Sequence, residues 1–97
     1  MRVIAGQAKG IRLTELKGSP VRPTLDQVKE TLFNILGHNL SGEYFLDWFG
    51  GSGAIGIEAL SRGAEKVILV ENNRQSQNLI YANLEKCRFW NGENESS

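Results

Sequence analysis

Asp47 closes an apolar run, and the six residues that follow it hold three glycines, in the order Asp47-Trp48-Phe49-Gly50-Gly51-Ser52-Gly53. A turn of that composition lets bare backbone lie against a small ligand, with a carboxylate at its mouth. The apolar stretch 44–49 predicts a buried strand, and residues 54–62 predict a helix. Strand, glycine turn and helix in this order form the layout in which α/β proteins hold nucleotides, because the first N–H groups of the helix point at the ligand. Gly51-Ser52-Gly53-Ala54-Ile55-Gly56 is a literal G-x-G-x-x-G, and Glu71 stands 20 residues beyond Gly51, at the end of the next apolar run. That is the spacing of an acid that hydrogen-bonds a ribose hydroxyl. The alternatives are a structural glycine turn, with Asp47 capping loop amides and Glu71 a strand-end surface charge.

Electrostatics discriminates between cofactors. A dinucleotide presents a pyrophosphate to the glycine turn, and a carboxylate just ahead of the turn repels it. S-adenosylmethionine carries no phosphate; it has an ammonium group and a sulfonium. Asp47 can interact with that amine directly or through water, while the helix N-terminus holds the methionine carboxylate. The residues therefore favour S-adenosylmethionine over a nicotinamide dinucleotide.

The elements that must position this turn are legible from periodicity. Residues 3–5 and 11–16 are β-prone, and the loop between them, with Gly6 and Gly10, suits a hairpin. Pro23-Thr24 opens a helix, with Thr24 and Gln27 at capping-box spacing and Asp26 in the first turn. Leu25, Val28, Leu32, Ile35 and Leu36 fall on its inner face, and Gly37 ends it. Val67-Ile68-Leu69-Val70 predicts a second buried strand of a parallel sheet. Asn72 or Asn73 caps a last helix over residues 74–86, with Leu79, Ile80 and Leu84 inward. The order βαβα calls for a right-handed crossover. Residues 88–97, polar and aperiodic, are expected to be disordered.

With 97 residues the chain makes one small domain, and 40% hydrophobic with 23% charged residues excludes a disordered chain. The formal net charge is zero, but residues 1–23 carry Arg2, Lys9, Arg12, Lys17 and Arg22 against Glu15 alone, +4, leaving −4 on the other 74. A basic arm on an acidic body points to a polyanionic partner, a solvated surface being the bland reading. The single cysteine, Cys87, allows no intrachain disulfide, and nothing beside it in sequence activates the thiol. No apolar stretch is long enough to span a membrane, and the N-terminus does not read as a signal peptide, so a cytoplasmic protein is expected.

Three segments carry a resemblance to a known family. RPTLDQVKETLFNIL (residues 22–36), FLDWFGGSGAIGIEALSRGA (45–64) and VILVENN (67–73) are similar to bacterial 16S rRNA guanine-N2 methyltransferases, and the opening MRVIAGQAKGIRL resembles the N-terminal hairpin of that family. The resemblance covers residues 1–86. It implies a Rossmann-like α/β fold with an incomplete parallel sheet: a basic N-terminal hairpin over residues 1–20, the N-terminal half of the cofactor domain over 21–87, and the tail. It implies methyl transfer from S-adenosylmethionine to the exocyclic amine of a guanine in small-subunit rRNA. Asp47, Phe49, Gly51, Ser52 and Gly53 would line the cofactor pocket, Glu71 would bind the ribose, and Asn72 would lie near the adenine. Arg2, Lys9, Arg12 and Arg22 would meet RNA.

Trp48 and Gly50 stand where leucine and alanine are usual in the family. More consequential is a missing motif, an acidic or Asn residue followed by two prolines and an aromatic, which grips the target base; this chain has only Pro20 and Pro23. No residue is singled out as catalytic and none as a metal ligand. The chain is therefore expected to be a cofactor-binding half, inactive alone. Its incomplete sheet is expected to leave a bare strand edge prone to self-association. Competing readings are a nicotinamide dinucleotide-binding module, a non-catalytic RNA-binding fragment, and, among methyltransferases, a DNA adenine enzyme.

Overall fold

A computed structural model describes residues 1–15, 22–47 and 52–90. The elements run α1 (Arg22–Leu36), β1 (Tyr44–Asp47), α2 (Ala54–Ser61), β2 (Lys66–Leu69) and α3 (Arg74–Lys86), after an N-terminal hairpin. Strands β1 and β2 pair in parallel, Tyr44 opposite Lys66 through Asp47 opposite Leu69. A parallel pair needs a crossover helix, and α2 supplies it. This is an incomplete Rossmann-like α/β fold.

Helix α2 is the hub. Six of its eight residues are buried, so it has no solvent face of its own. One flank, with Ala54 and Ile57, packs against Val3, Ala8 and Leu13 of the hairpin and Cys87 after α3. The other, with Ala59, packs against Phe33 and Leu40, bordered by Ile55, Phe45 and Val67. Gly56 sits where a Cβ would meet the Leu69 and Val67 side chains, so the missing side chain lets the helix lie close on β2. The helix ends in a Schellman turn: Gly63 (φ +97°) donates to the Leu60 carbonyl at 3.0 Å, and Ala64 to Ala59 at 3.0 Å.

Several expectations need correction. Helix α1 begins at Arg22, so Thr24 lies inside its first turn rather than capping it, and Asp26 falls beyond that turn. Its inner face is also rotated from the one the aliphatics mark. Lys29 and Phe33 are buried and Leu32 half-buried, while Val28, Ile35 (78% exposed) and Leu36 face outward. The physical reason lies on α2. Glu58 is fully buried there and draws in Lys29, and Phe33 stacks on Phe45 with centroids 5.9 Å apart beneath the Arg62 guanidinium, 4.7 Å from its ring. Ion pairing and aromatic contact outweigh the aliphatic stripe.

The strands are shorter and less covered than expected. β1 ends at Asp47, with Trp48 and Phe49 outside the described residues, and Tyr44 (71%) and Leu46 are exposed. β2 runs from Lys66 to Leu69, with Ile68 exposed and Val70 just past its end. Among the described residues, α1 and α2 pack on the Phe45–Val67 face. The expected four-residue aliphatic run thus has only one side covered among the described residues. The hairpin also differs from two regular strands. It forms one antiparallel bridge, Arg2 to Arg12, because the N–H groups of Ile4, Ala5 and Ala8 donate to side chains of α2 instead of across the hairpin.

Helix α3 begins and ends where the periodicity places it. Asn73 is its cap, with the side chain accepting from the Ser76 N–H at 3.0 Å. Residues 88–90, expected to be disordered, are ordered. Arg88 takes φ +65°, its N–H bonds the Glu85 carbonyl at 3.0 Å, and Phe89 N–H bonds Leu84 at 2.8 Å. This is another Schellman turn, with Leu84 and Phe89 both set against the core, and Trp90 lies 4.9 Å from Tyr81. It was hidden because an arginine occupies the left-handed position that glycine usually marks. Residues 91–97 lie outside the described residues.

Cys87 is buried, and burial pushes its thiol up against the opposing pull of Lys86 and Lys29, which makes it a poor nucleophile. No described helix is long and apolar enough to cross a membrane.

Candidate functional site

The parallel register brings the sequence candidates together at one end of the sheet. Asp47 ends β1 opposite Leu69, and Glu71 follows two residues later at the same, carboxyl, end. Asp47 is buried, and its carbonyl accepts from the Val70 N–H at 2.8 Å, which ties the two strand ends together. Ser52 and Gly53 lead directly into the N-terminus of α2. This crevice, at the carboxyl ends of adjacent parallel strands and the positive end of a helix, is where open α/β sheets take ligands.

Gly53 adopts φ +82° as the residue preceding α2, and a Cβ on it would crowd Ile57 and Ile80 at 3.3 Å, so both conformation and space call for glycine. Gly53, the residue preceding the helix, has no side chain with which to cap it, and the first N–H groups of α2 lie at the crevice. Ser52 is buried, yet its hydroxyl has no hydrogen-bond partner among the described residues. A buried hydroxyl left unpaired costs about 1–3 kcal/mol, so its place beside a helix N-terminus fits a site that accepts a polar, acceptor-bearing ligand group.

Glu71 is half-buried; one carboxylate oxygen accepts from Asn73 N–H at 3.0 Å, and its carbonyl accepts from the Gln77 amide at 2.6 Å. These bonds hold the acid at the strand end. Asn72 is exposed beside it. Phe49 and Gly51 lie outside the described residues. Arg22 is the first residue of α1.

The basic candidates Arg2, Lys9 and Arg12 lie together on the hairpin, all exposed. The Arg2 guanidinium bonds the Gly10 carbonyl at 3.1 Å, which leaves donors for a further partner. The hairpin spans the length of α2. Near the C-terminal end of the helix, Glu58 accepts from Ile4 N–H (2.9 Å) and Ala5 N–H (3.1 Å). Ser61 Oγ accepts from Ala8 N–H (2.9 Å) and donates to the Ala5 carbonyl (2.6 Å). Near its N-terminal end, Asn83 of α3 bridges Thr14 to the Ser52 carbonyl.

Glu58 is the electrostatic centre of this packing. Beyond the two hairpin amides, it pairs with Lys29 at 3.1 Å and Arg62 at 2.8 Å. Burial pushes its carboxyl up, but the Ile4 N–H, Arg62 and Lys29 together outweigh burial and hold it below the ordinary range. The two cations are themselves anchored, Lys29 to the Arg2 carbonyl at 2.8 Å and Arg62 to Gly37 at 2.8 Å. The sequence reading passed over Glu58, Ser61, Arg62 and Asn83. A signal existed: Glu58, Ser61 and Arg62 sit three and four residues apart in a helix otherwise too apolar to have a wet face.

Residues 1–96 of the chain match the profile of a protein family described as "Conserved hypothetical protein 95". The chain belongs to this family. Relatives within reach of it carry more informative names. Ribosomal RNA small subunit methyltransferase D of Haemophilus influenzae is 44% identical over 101 residues, which takes in 100% of this chain and 52% of that protein. A Bacillus subtilis protein, YlbH, named as a candidate rRNA methyltransferase, is 46% identical over 84 residues, 87% of this chain and 46% of its own length. Among solved structures, a candidate methyltransferase from Escherichia coli, YhhF, superposes with a TM-score of 0.75 at 38% identity, covering 91% of this chain and 47% of that one. The chain spans about half the length of these relatives. The family, its Rossmann-like fold and its methyltransferase kinship thus agree with the resemblance read from the three sequence segments.

Proposed function

We propose that this chain is the cofactor-binding half of an S-adenosylmethionine-dependent methyltransferase acting on the exocyclic amine of a guanine in 16S rRNA of the small ribosomal subunit, in the cytoplasm. The observation that carries the reading is the convergence of Asp47, Ser52, Gly53 and Glu71 on one crevice at the N-terminus of α2, with a buried Ser52 hydroxyl that has no partner among the described residues. The names and likeness of the relatives support it.

The residues present fit the donor. S-adenosylmethionine, when bound, supplies an electrophilic methyl group on a sulfonium. The N-terminus of α2 and Ser52 Oγ would take the methionine carboxylate, as hydrogen-bond donors do. Asp47 would face the methionine ammonium, and Glu71 would accept from the ribose hydroxyls, with Asn72, Phe49 and Gly51 completing the pocket. Arg2, Lys9 and Arg12, exposed on one hairpin, would meet RNA phosphates, as would Arg22; such contacts position rather than specify.

Methyl transfer depends on holding the target amine in line with the methyl, and a flipped base must be gripped. The two prolines of this chain lie near its start, and no acidic or Asn residue followed by two prolines and an aromatic is present. The chain alone therefore does not turn over. The open sheet face with Tyr44, Leu46 and Ile68, together with strand edges left unpaired among the described residues, favours self-association when the chain is purified.

The test uses tritiated S-adenosylmethionine with assembled 30S particles. Ultraviolet cross-linking is expected to label the chain, the Ser52→Val variant to label weakly, and 16S rRNA to stay unlabelled. Methyl transfer to rRNA by this chain alone would contradict its incompleteness. Salt-dependent RNA binding with no cross-link would favour a second reading, a non-catalytic RNA-binding fragment, for which the exposed basic hairpin speaks.

A further inference from the structure

Asn83 is fully buried on α3, far in sequence from every residue it serves. Its amide nitrogen donates to the Ser52 carbonyl at 2.8 Å and to the Thr14 carbonyl at 2.8 Å, and its amide oxygen accepts from Thr14 N–H at 2.9 Å. Both donors and the acceptor are thus committed, two bonds to the last described stretch of the hairpin and one to the residue that begins the crevice. Ser52 is the residue whose hydroxyl is unpaired among the described residues, and its carbonyl accepts from this side chain.

We infer that Asn83 is a positioning residue: one buried amide sets the backbone of Ser52, and hence the entrance to α2, against the arm that carries Arg2, Lys9 and Arg12. The chemistry favours asparagine. A carboxylate could accept from Thr14 N–H but would face two carbonyl oxygens with no proton to give, and an aliphatic side chain would take this partner from the buried Ser52 carbonyl and from both backbone groups of Thr14. A leucine or isoleucine at this point of the α3 inner face would serve packing alone, so the polar side chain is present for what it bonds. The crevice and the hairpin each have other anchors, Gly53 on one side and Glu58 with Ser61 on the other; Asn83 hydrogen-bonds to both. The consequence for function rests on the cofactor reading proposed above: a displaced Ser52 points its hydroxyl and the following amides away from the ligand carboxylate.

The experiment compares Asn83→Asp with Ser61→Ala on the full chain. Ser61→Ala removes two of the hairpin's bonds at the other end of α2, those of the Ser61 hydroxyl, and leaves Ser52 untouched. Two readouts are taken on folded protein: amide hydrogen exchange across residues 52–57 without ligand, and the dissociation constant for S-adenosylhomocysteine. Asn83→Asp is expected to speed exchange in that segment and to weaken binding about tenfold, the equivalent of one good hydrogen bond. Ser61→Ala should leave both within about twofold of the parent. Should Asn83→Asp fail to fold, Asn83→Ser, which removes the paired donors without adding charge, carries the same expectation. Equal exchange at residues 52–57 in the parent and both variants, or equal loss in both variants, would overturn the inference. Normal parent exchange differences with no ligand uptake by any form would overturn the cofactor reading while leaving the positioning role supported.

Discussion

Glu58→Gln should remove a large share of the folding stability of the protein. The substitution keeps the shape but removes the charge that Lys29 (1% exposed) and Arg62 were buried to meet. Breaking one member of a buried ionic group typically costs about 3–5 kcal/mol, because the remaining charges stay desolvated and unpaired. A domain of this size has roughly 5–10 kcal/mol in total. The hairpin loses most as well, since a glutamine amide has one oxygen where Glu58 offered two to Ile4, Ala5 and both cations. Thermal unfolding followed by circular dichroism should show the midpoint fall by at least about 15 °C. Lys29→Met should cost less, because Arg62 and two backbone N–H groups still face the carboxylate.

The same group sets an acid limit. The folded carboxyl titrates below its ordinary value of 4.5. Its contribution is therefore fully present above that value and is lost as pH falls through the lower, folded one. The parent should lose stability on that acid side, and whatever stability Glu58→Gln retains should lack this component.

Gly6→Ala should detach the hairpin. Gly6 holds φ +89°, and a Cβ there would collide with the Ser61 carbonyl oxygen and lie 2.8 Å from Ser61 Oγ. The obstacle is helix backbone, which cannot swing aside as a side-chain tip does. Left-handed strain of about 1–2 kcal/mol and overpacking of about 1–3 kcal/mol add together. Gly10 is the control, with φ +88° and open space around it. Gly10→Ala should therefore cost only the first of these. Equal losses in stability for the two variants, measured by urea unfolding, would show that the hairpin does not sit against Ser61 as described. Undocking should also raise the reactivity of Cys87, which the hairpin helps to cover.

Much of this was legible in the sequence because it rests on local rules. The Ala54 helix start, the Asn73 cap and the Gly37 and Gly63 stops follow from short-range chemistry, and the structure places them there. The crevice was legible for a related reason: its residues lie within a strand, a turn and the end of the next strand, so topology alone brings Asp47, Ser52 and Glu71 together. What stayed hidden depends on contacts between distant segments. The face that α1 buries is chosen by Glu58, 29 residues beyond Lys29, and no periodicity within α1 could reveal it. The hairpin's strands are irregular because Ile4, Ala5 and Ala8 bond α2, more than 50 residues away. Asn83 reads as an ordinary helical polar residue until Thr14 and Ser52 are seen around it. The ordered turn at Arg88 escaped notice because the usual glycine is absent.

The central claim is that a carboxylate at the end of β1 and an anion-seeking helix N-terminus select a positively charged methyl donor over a phosphate-bearing cofactor. Isothermal titration of the chain with S-adenosylmethionine and, separately, with NADH tests it most directly. The expected result is saturable uptake of S-adenosylmethionine, weakened about tenfold or more in Asp47→Asn by loss of a charge-assisted contact, with no measurable uptake of NADH. Tight NADH binding alongside indifference to S-adenosylmethionine would contradict it.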